Sequence, residues 1–344
     1  MTSPAPLLQP QGTDLVADPF GEARGPTVSM ARQLLGGRFH FESNDRALLR
    51  LAEAAYDGLP EHRFSDISPE FHVELRVLPA GPRPTATEPP PMRVQSGAGL
   101  LCGVVDAANY VVLSPERHRA LVVVSADRLA HAYHVRYELI EFAVFVLAAR
   151  GIGLVPLHAA CVGRDGRGAL LFGASGAGKS TLALHAFLGG LELLAEDSVF
   201  AHPASLLATS VPNFVHLKAE SLGFVDDAAA RRWIVESPVI RRRGGAEKFE
   251  LDARRFSGGR VAQSPLRVAA AIFLSDRGAS DGEALLRALP AETLGARLAA
   301  EQPYAAGQPG WQAFATAIAE LGAYELRRGR HPRDSVEAIR RLLA

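Results

Sequence analysis

ALLFGASGAGKST, residues 169–181, runs an apolar strand into a glycine-rich loop and on into the start of a helix. Gly173-Ala174-Ser175-Gly176-Ala177-Gly178-Lys179-Ser180 fills every position of the GxxxxGK[ST] pattern, and TLALHAFLG (181–189) supplies the amphipathic helix that should follow. Each residue type has a physical task. The glycines let the backbone curl until its N–H groups point inward, forming a nest for phosphate oxygens. The following helix adds the positive end of its dipole. Lys179 reaches the β- and γ-phosphates as a point charge, and the Ser180 hydroxyl can ligate Mg²⁺. With Thr181 beside them, these residues form a candidate site for ATP and Mg²⁺.

Upstream, LVPLHAACV (154–162) is a nearly continuous apolar strand, and GRDGRG (163–168) is a tight turn leading into the loop strand. Such a turn joins antiparallel neighbours, so the sheet is expected to be mixed. Downstream, LELLAED (191–197) is an apolar strand ending in Glu196-Asp197, only 17 residues beyond Lys179. One helix and one turn separate them. The strand is therefore expected beside the loop, with both carboxylates near the γ-phosphate. The chain has no LSGGQ-like signature and no NKxD-like guanine motif, which argues against transporter ATPases and GTPases.

Leu157-His158-Ala159, then GRGALLFGASGAGKST (166–181), then LLAEDSVF (193–200) resemble the catalytic core of bacterial HPr kinase/phosphorylase. The wording LHAA, GKST and LAEDSVF is closer still to the divergent HPr-kinase-related kinase A group. The resemblance implies a P-loop domain of the HPr kinase/phosphoenolpyruvate carboxykinase type. By position it makes Lys179 the nucleotide lysine, Ser180 the Mg²⁺ hydroxyl and His158 the active-site histidine. It also makes Glu196 the base that deprotonates an acceptor serine, and Asp197 a metal contact. Glutamate is one methylene longer than the family's aspartate, which alters acceptor placement while still allowing proton abstraction.

The chain departs from the family where Leu-Glu-x-Arg-Gly would stand: the corresponding stretch is VPNFVHLKAESLGF (211–224), and the loop ends Lys-Ser-Thr in place of Lys-Ser-Glu. These departures remove the support that the resemblance would otherwise give to the reverse phosphorylase reaction and to HPr as acceptor. His158, taken without the family, reads more readily as a core histidine, and the resemblance reverses that reading. Arg241-Arg242-Arg243-Gly244-Gly245 is either a clamp over the transferring phosphoryl group or a solvated charge run. Lys248, at the start of KFELD, is a candidate nucleotide contact, and His216 and Lys218 are weaker candidates.

The remaining chain reads as scaffold. Residues 1–30 are rich in Pro, Gly and Ala and are expected to be loosely ordered. NDRALLRLAEAAYD (44–57) is an amphipathic helix with Asn44 or Asp45 as N-cap. Phe71–Val77 alternates as a strand, TATEPPPM (85–92) is a Pro-rich loop, and Leu100–Val105, Tyr110–Leu113 and Leu121–Val124 suggest an antiparallel meander. Phe39, Phe41, Phe71 and Tyr110 read as core. A helical pattern over 128–149 ends at Gly151. The resulting expectation is α+β overall: a smaller N-terminal α+β domain with antiparallel strands (1–135), then an α/β P-loop catalytic domain (136–344). The terminal helix 334–344 packs on the latter.

In 344 residues, 37 Lys+Arg balance 37 Asp+Glu, hydrophobic residues make up 48% and charged ones 22%. That balance is ordinary for globular proteins and gives no support to nucleic-acid or membrane binding. No signal peptide or spanning segment is legible, and Cys102 and Cys161 lack metal spacing, so a cytoplasmic protein is expected. The leading expectation is an ATP- and Mg²⁺-dependent kinase acting on a hydroxyl, serine of a small protein or peptide, with homo-oligomers as in the resembled family. The competing readings are a kinase of free serine or another metabolite, a nucleotide-loaded binding module without transfer, and a carboxykinase-like decarboxylation.

Overall fold

The chain enters its first sheet at Val28 in this computed structural model, which describes residues 27–80, 88–280 and 282–344. Residues 1–26 of the segment expected to be loose, and 85–87 of the Pro-rich loop, lie outside the described residues. Val28–Leu34 and Gly37–Ser43 pair as an antiparallel hairpin, turned at Leu35 (φ 53°) and Gly36 (φ 87°). The two positive φ values match the twist of a two-residue hairpin turn. Asp45, not Asn44, caps the helix Arg46–Tyr56, its carboxylate accepting from Ala47 N at 2.6 Å and Leu48 N at 3.1 Å.

That helix is a crossover, and the consequence departs from expectation. Glu70–Leu78 returns parallel to Gly37–Ser43 and also pairs parallel with Arg119–Ser125. The meander Leu100–Asp106, Asn109–Ser114, Arg119–Ser125 is antiparallel as expected, and Arg93–Gly97 adds a strand that was not expected. The seven-stranded sheet is thus mixed, not antiparallel, because a helical connection lets the next strand run in the same direction.

Its apolar face is covered by the helix Arg46–Tyr56 and by one broken helix: a 3-10 turn (Ala126–His131), a short α-turn (Ala132–His134), a π segment (Val135–Ile140) and an α-helix (Glu141–Ile152). Gly153 ends it in the left-handed conformation at φ 79°; Gly151 lies within the last turn. Val135, Leu139, Val144 and Leu147 share a core with Phe39, Phe71 and Leu75. The helix thus packs against the first sheet (together, the first unit), in a core that also takes in Leu154, Phe200 and Val211. Phe39, Phe41 and Phe71 are buried as expected, whereas Tyr110 is only half-buried.

The second sheet is mixed, as expected. The loop strand Arg167–Phe172 is antiparallel to Ala160–Arg164 and parallel to Leu266–Gly278. Glu192–Ala195 does not lie beside the loop strand, because Ala160–Arg164 intervenes. The apolar run 154–162 is also not one strand. It divides into Val155–His158 and Ala160–Arg164, and the neighbouring chain divides in step into Glu192–Ala195 and Ser198–Ala201. Outer halves pair with outer halves and inner with inner. Both strands therefore break at the same level, leaving His158 paired with Ser198 and beside Asp197.

A small sheet of Phe214–Leu217, Glu247–Asp252 and Val239–Arg241 stands over this break. The terminal helix Pro332–Leu343 packs Val336, Ile339 and Leu343 against the helix that follows the loop. Both cysteines are free, and burial pushes the Cys161 thiol up to about 12, leaving it unreactive at neutral pH. Among the described residues no helix is long and apolar enough to cross a membrane.

Candidate active site

The loop between Phe172 and the helix Lys179–Leu188 projects Ala174, Ser175 and Gly176 into solvent. Gly176 (φ 87°) and Gly178 (φ 97°) hold conformations that L-residues rarely adopt, although open space lies in front of both. Glycine is required here by the backbone, not by crowding. Lys179 folds back so that its ammonium donates to the carbonyls of Gly173 and Ala174, at 3.4 Å for the latter. Burial pulls it below the ordinary lysine range, and Asp197, Glu196 and Glu301 resist that pull.

Ser180, in the first helical turn, donates to Glu196 Oε1. The other carboxylate oxygen lies 3.5 Å from His216 Nδ1. His216 Nε2 lies 2.8 Å from the Tyr137 hydroxyl and 3.3 Å from Glu250 Oε1, and Glu250 accepts in turn from Arg136. The Arg136 guanidinium stacks on Phe214, 4.3 Å from the ring centroid. Burial would raise the Glu196 carboxyl. The hydrogen bond and charge of His216, the Ser180 hydroxyl and Lys248 outweigh it and hold Glu196 below the usual carboxylate range. Burial would likewise lower His216, yet its bonds to Glu196 and Glu250 hold it above the ordinary histidine range. The group is thus a buried, alternating row of charges running from the loop to the first unit's broken helix, with each charge offset by a neighbour.

Asp197 leaves the strand break on the other side. Its Oδ1 lies 3.2 Å from His158 Nδ1, and both side chains are solvent-accessible, at 38% and 52%. The backbone of His158 is held by Gln302, whose carbonyl oxygen accepts from His158 N at 2.8 Å and whose amide donates to His158 O at 2.9 Å. Ala159 N donates to Asp197 O at 3.0 Å, which ties the two strand breaks together.

Lys248 is half-buried facing Glu196 and Asp197, and burial followed by the charge of Arg242 lowers it. Arg242 also faces both carboxylates and donates to the Tyr133 hydroxyl at 3.2 Å. Arg243 points elsewhere: it pairs with Glu138 and donates to the carbonyls of Pro89 and Pro90 at 2.5 and 2.9 Å. Arg241 is exposed on its strand, as is Lys218 on its loop.

The structure thus gathers Lys179, Ser180, Glu196, Asp197, His158, Lys248 and His216. The carboxylate at Ser180 is Glu196, whereas the sequence reading paired Ser180 with Asp197 as metal contacts. Glu250, Arg136, Tyr137 and Gln302 were not singled out from sequence. Glu250 carried a signal, since it shares a strand face with Lys248 two residues away. Gln302 carried none. Among the described residues no three His, Cys, Asp or Glu side chains gather as a metal cage. A hydroxyl beside an ionised carboxylate still suits Mg²⁺, which keeps water and phosphate oxygens as most of its ligands.

No family model and no curated protein matches the chain. Among solved structures, the Hpr(Ser) kinase/phosphatase from Coxiella burnetii is similar at 15% identity and a TM-score of 0.27, over 54% of this chain and 94% of that one. A likeness that low carries no weight for fold or chemistry.

Proposed function

We propose that this chain is an ATP- and Mg²⁺-dependent kinase that transfers the γ-phosphoryl group to a hydroxyl, the serine of a small protein or peptide. The observation that carries the reading is the double strand break. It brings an accessible Asp197–His158 pair and a buried Ser180–Glu196 pair to the same end of a complete phosphate-binding loop.

The two pairs suit different tasks. Glu196 is ionised, enclosed and committed to Ser180 and His216, which fits holding Mg²⁺ with Ser180. Bound there, Mg²⁺ would neutralise charge on the β- and γ-phosphates. Asp197 is reachable from solvent, and its histidine partner can orient it or share the proton, which fits taking the proton from the acceptor hydroxyl. The acceptor oxygen then bonds to the γ-phosphorus as the bond from that phosphorus to the β–γ bridging oxygen breaks, and the electron pair leaves with ADP. Lys179, Lys248 and Arg242 supply the positive charge that stabilises the transferring group. This reading exchanges the roles that the resemblance implied for Glu196 and Asp197.

A second reading has its own observation. The row Glu196–His216–Glu250–Arg136 links the loop to the first unit, which favours a nucleotide-dependent binding module whose first unit senses occupancy. Incubation with γ-labelled ATP, Mg²⁺ and a lysate of the source organism, beside Lys179→Ala, separates the readings. The kinase predicts a labelled small protein or peptide that is absent with the variant. A labelled metabolite in place of protein redirects the assignment to a small-molecule kinase. ATP binding with no labelled product of either kind overturns transfer and favours the module.

A further inference from the structure

A cavity of about 250 Å³ opens beside the loop, on the side away from the carboxylates. Its lining includes Gly178 and Thr181 but neither Lys179 nor Ser180. A phosphate chain in the loop has its γ end at Lys179 and Ser180, so its α end leaves by Gly178 and Thr181. The cavity begins there.

Its walls are fixed by specific bonds. Thr181 Oγ1 lies 2.9 Å from Ser221 Oγ, which ties the Ala219–Phe224 turn to the loop helix. His331 Nδ1 accepts from Arg333 N, so its Nε2–H donates to the carbonyl of Phe224 at 3.0 Å. Phe224 is therefore anchored at its backbone; the residue is 42% exposed, and its ring meets the His331 ring edge to face with centroids 5.9 Å apart. Leu274 and Ser275, at the end of the strand Leu266–Gly278, form another wall. Arg327, Arg328 and Arg330 also line the cavity, so it is basic as well as aromatic, and no lining side chain is Asp, Glu, Asn or Gln.

We propose that this cavity receives the base of the bound nucleotide, between Phe224 and Leu274, so that the phosphoryl donor is a purine nucleoside triphosphate held by stacking as well as by its phosphates. The inference rests on the nucleotide reading above. An exposed aromatic residue on one wall and Leu274 on another suit a flat heterocycle, and a bicyclic base gains more from stacking than a monocyclic one. Stacking is tolerant of base identity, so adenine and guanine are both accommodated.

Calorimetric titration of the full chain with the Mg²⁺ complexes of ATP, GTP, CTP and tripolyphosphate tests this, beside Phe224→Ser and Ser275→Trp. One variant removes a wall and the other fills the cavity. ATP and GTP are expected to bind similarly, and about tenfold tighter than tripolyphosphate, since base stacking on an aromatic side chain has that magnitude. CTP falls between. Both variants should bring ATP to the level of tripolyphosphate while leaving tripolyphosphate affinity and the melting temperature unchanged. Equal binding of ATP and tripolyphosphate to the unaltered chain overturns the proposal, as do CTP binding equal to ATP and unchanged ATP affinity in both variants. Failure of every ligand to bind overturns the nucleotide reading and this proposal with it. Tripolyphosphate binding without a gain from the base overturns the proposal alone.

Discussion

Gln302 grips the backbone of His158 as a neighbouring strand would, accepting from its N–H and donating to its carbonyl within 3 Å. His158 stands at the strand break, where regular sheet pairing ends, and Gln302 replaces the missing ladder with one buried amide. Gln302→Leu leaves both backbone groups without that partner, each costing about 1–3 kcal/mol. A melting temperature lower by several degrees is expected, with turnover falling further than ATP affinity because His158 loses its orientation. Equal losses in turnover and ATP binding would assign Gln302 a merely structural role.

Asp197→Asn and Glu196→Gln separate the two carboxylates. The Asp197 variant should bind Mg²⁺–ATP normally and lose transfer by roughly 10²–10⁴-fold, the usual contribution of a positioned base. The Glu196 variant should need more Mg²⁺ for half-maximal turnover. Turnover measured against Mg²⁺ concentration decides the matter: a normal Mg²⁺ requirement in the Glu196 variant would return the base role to Glu196.

Glu141 is fully buried, and burial, opposed by Arg136, His216 and Asn213, raises its carboxyl to about 7 from an unfolded value of 4.5. The folded state binds the proton more tightly than the unfolded state does. The resulting stabilisation is complete below pH 4.5 and is lost as pH rises to about 7, a change on the order of 3 kcal/mol. Glu141→Gln should gain relative to the unaltered protein between pH 5 and 8 in thermal melts. A constant difference across that range would show that Glu141 does not titrate there.

Arg243 fastens the 241–246 turn to Glu138 and to the Pro89 and Pro90 carbonyls. Its partly buried ion pair predicts a loss of about 1 kcal/mol in Arg243→Ala. The larger effect should be local: faster proteolysis within 241–246 and weaker ATP binding, because Arg242 belongs to the same turn. Cleavage no faster than in the unaltered chain would remove the fastening role.

The phosphate loop was legible because strand, glycines, Lys179 and Ser180 are contiguous and each is required by local physics. Glu196 and Asp197 were legible through their closeness to Lys179 in the chain. The strand breaks were not, since VPLHAACV is apolar but for His158 and nothing local marks Ala159 as the point where pairing changes. The parallel pairing of Gly37–Ser43 with Glu70–Leu78 escaped because nothing in the amphipathic pattern of Arg46–Tyr56 marks that helix as a crossover between two strands of one sheet. Gln302 and Arg136 reach the site only through tertiary packing, and side chains recruited that way leave no periodicity or spacing to read.

The buried row of charges has a practical consequence for dividing the protein. A fragment beginning at Gly153 would keep the entire phosphate loop, yet His216 would lose the Tyr137 hydroxyl and Glu250 would lose Arg136. Phe200 and Val211, now enclosed with the first unit's core, would face water. Such a fragment would carry an intact nucleotide motif on a surface that invites aggregation, and a negative binding result from it would report on the cut and not on the site.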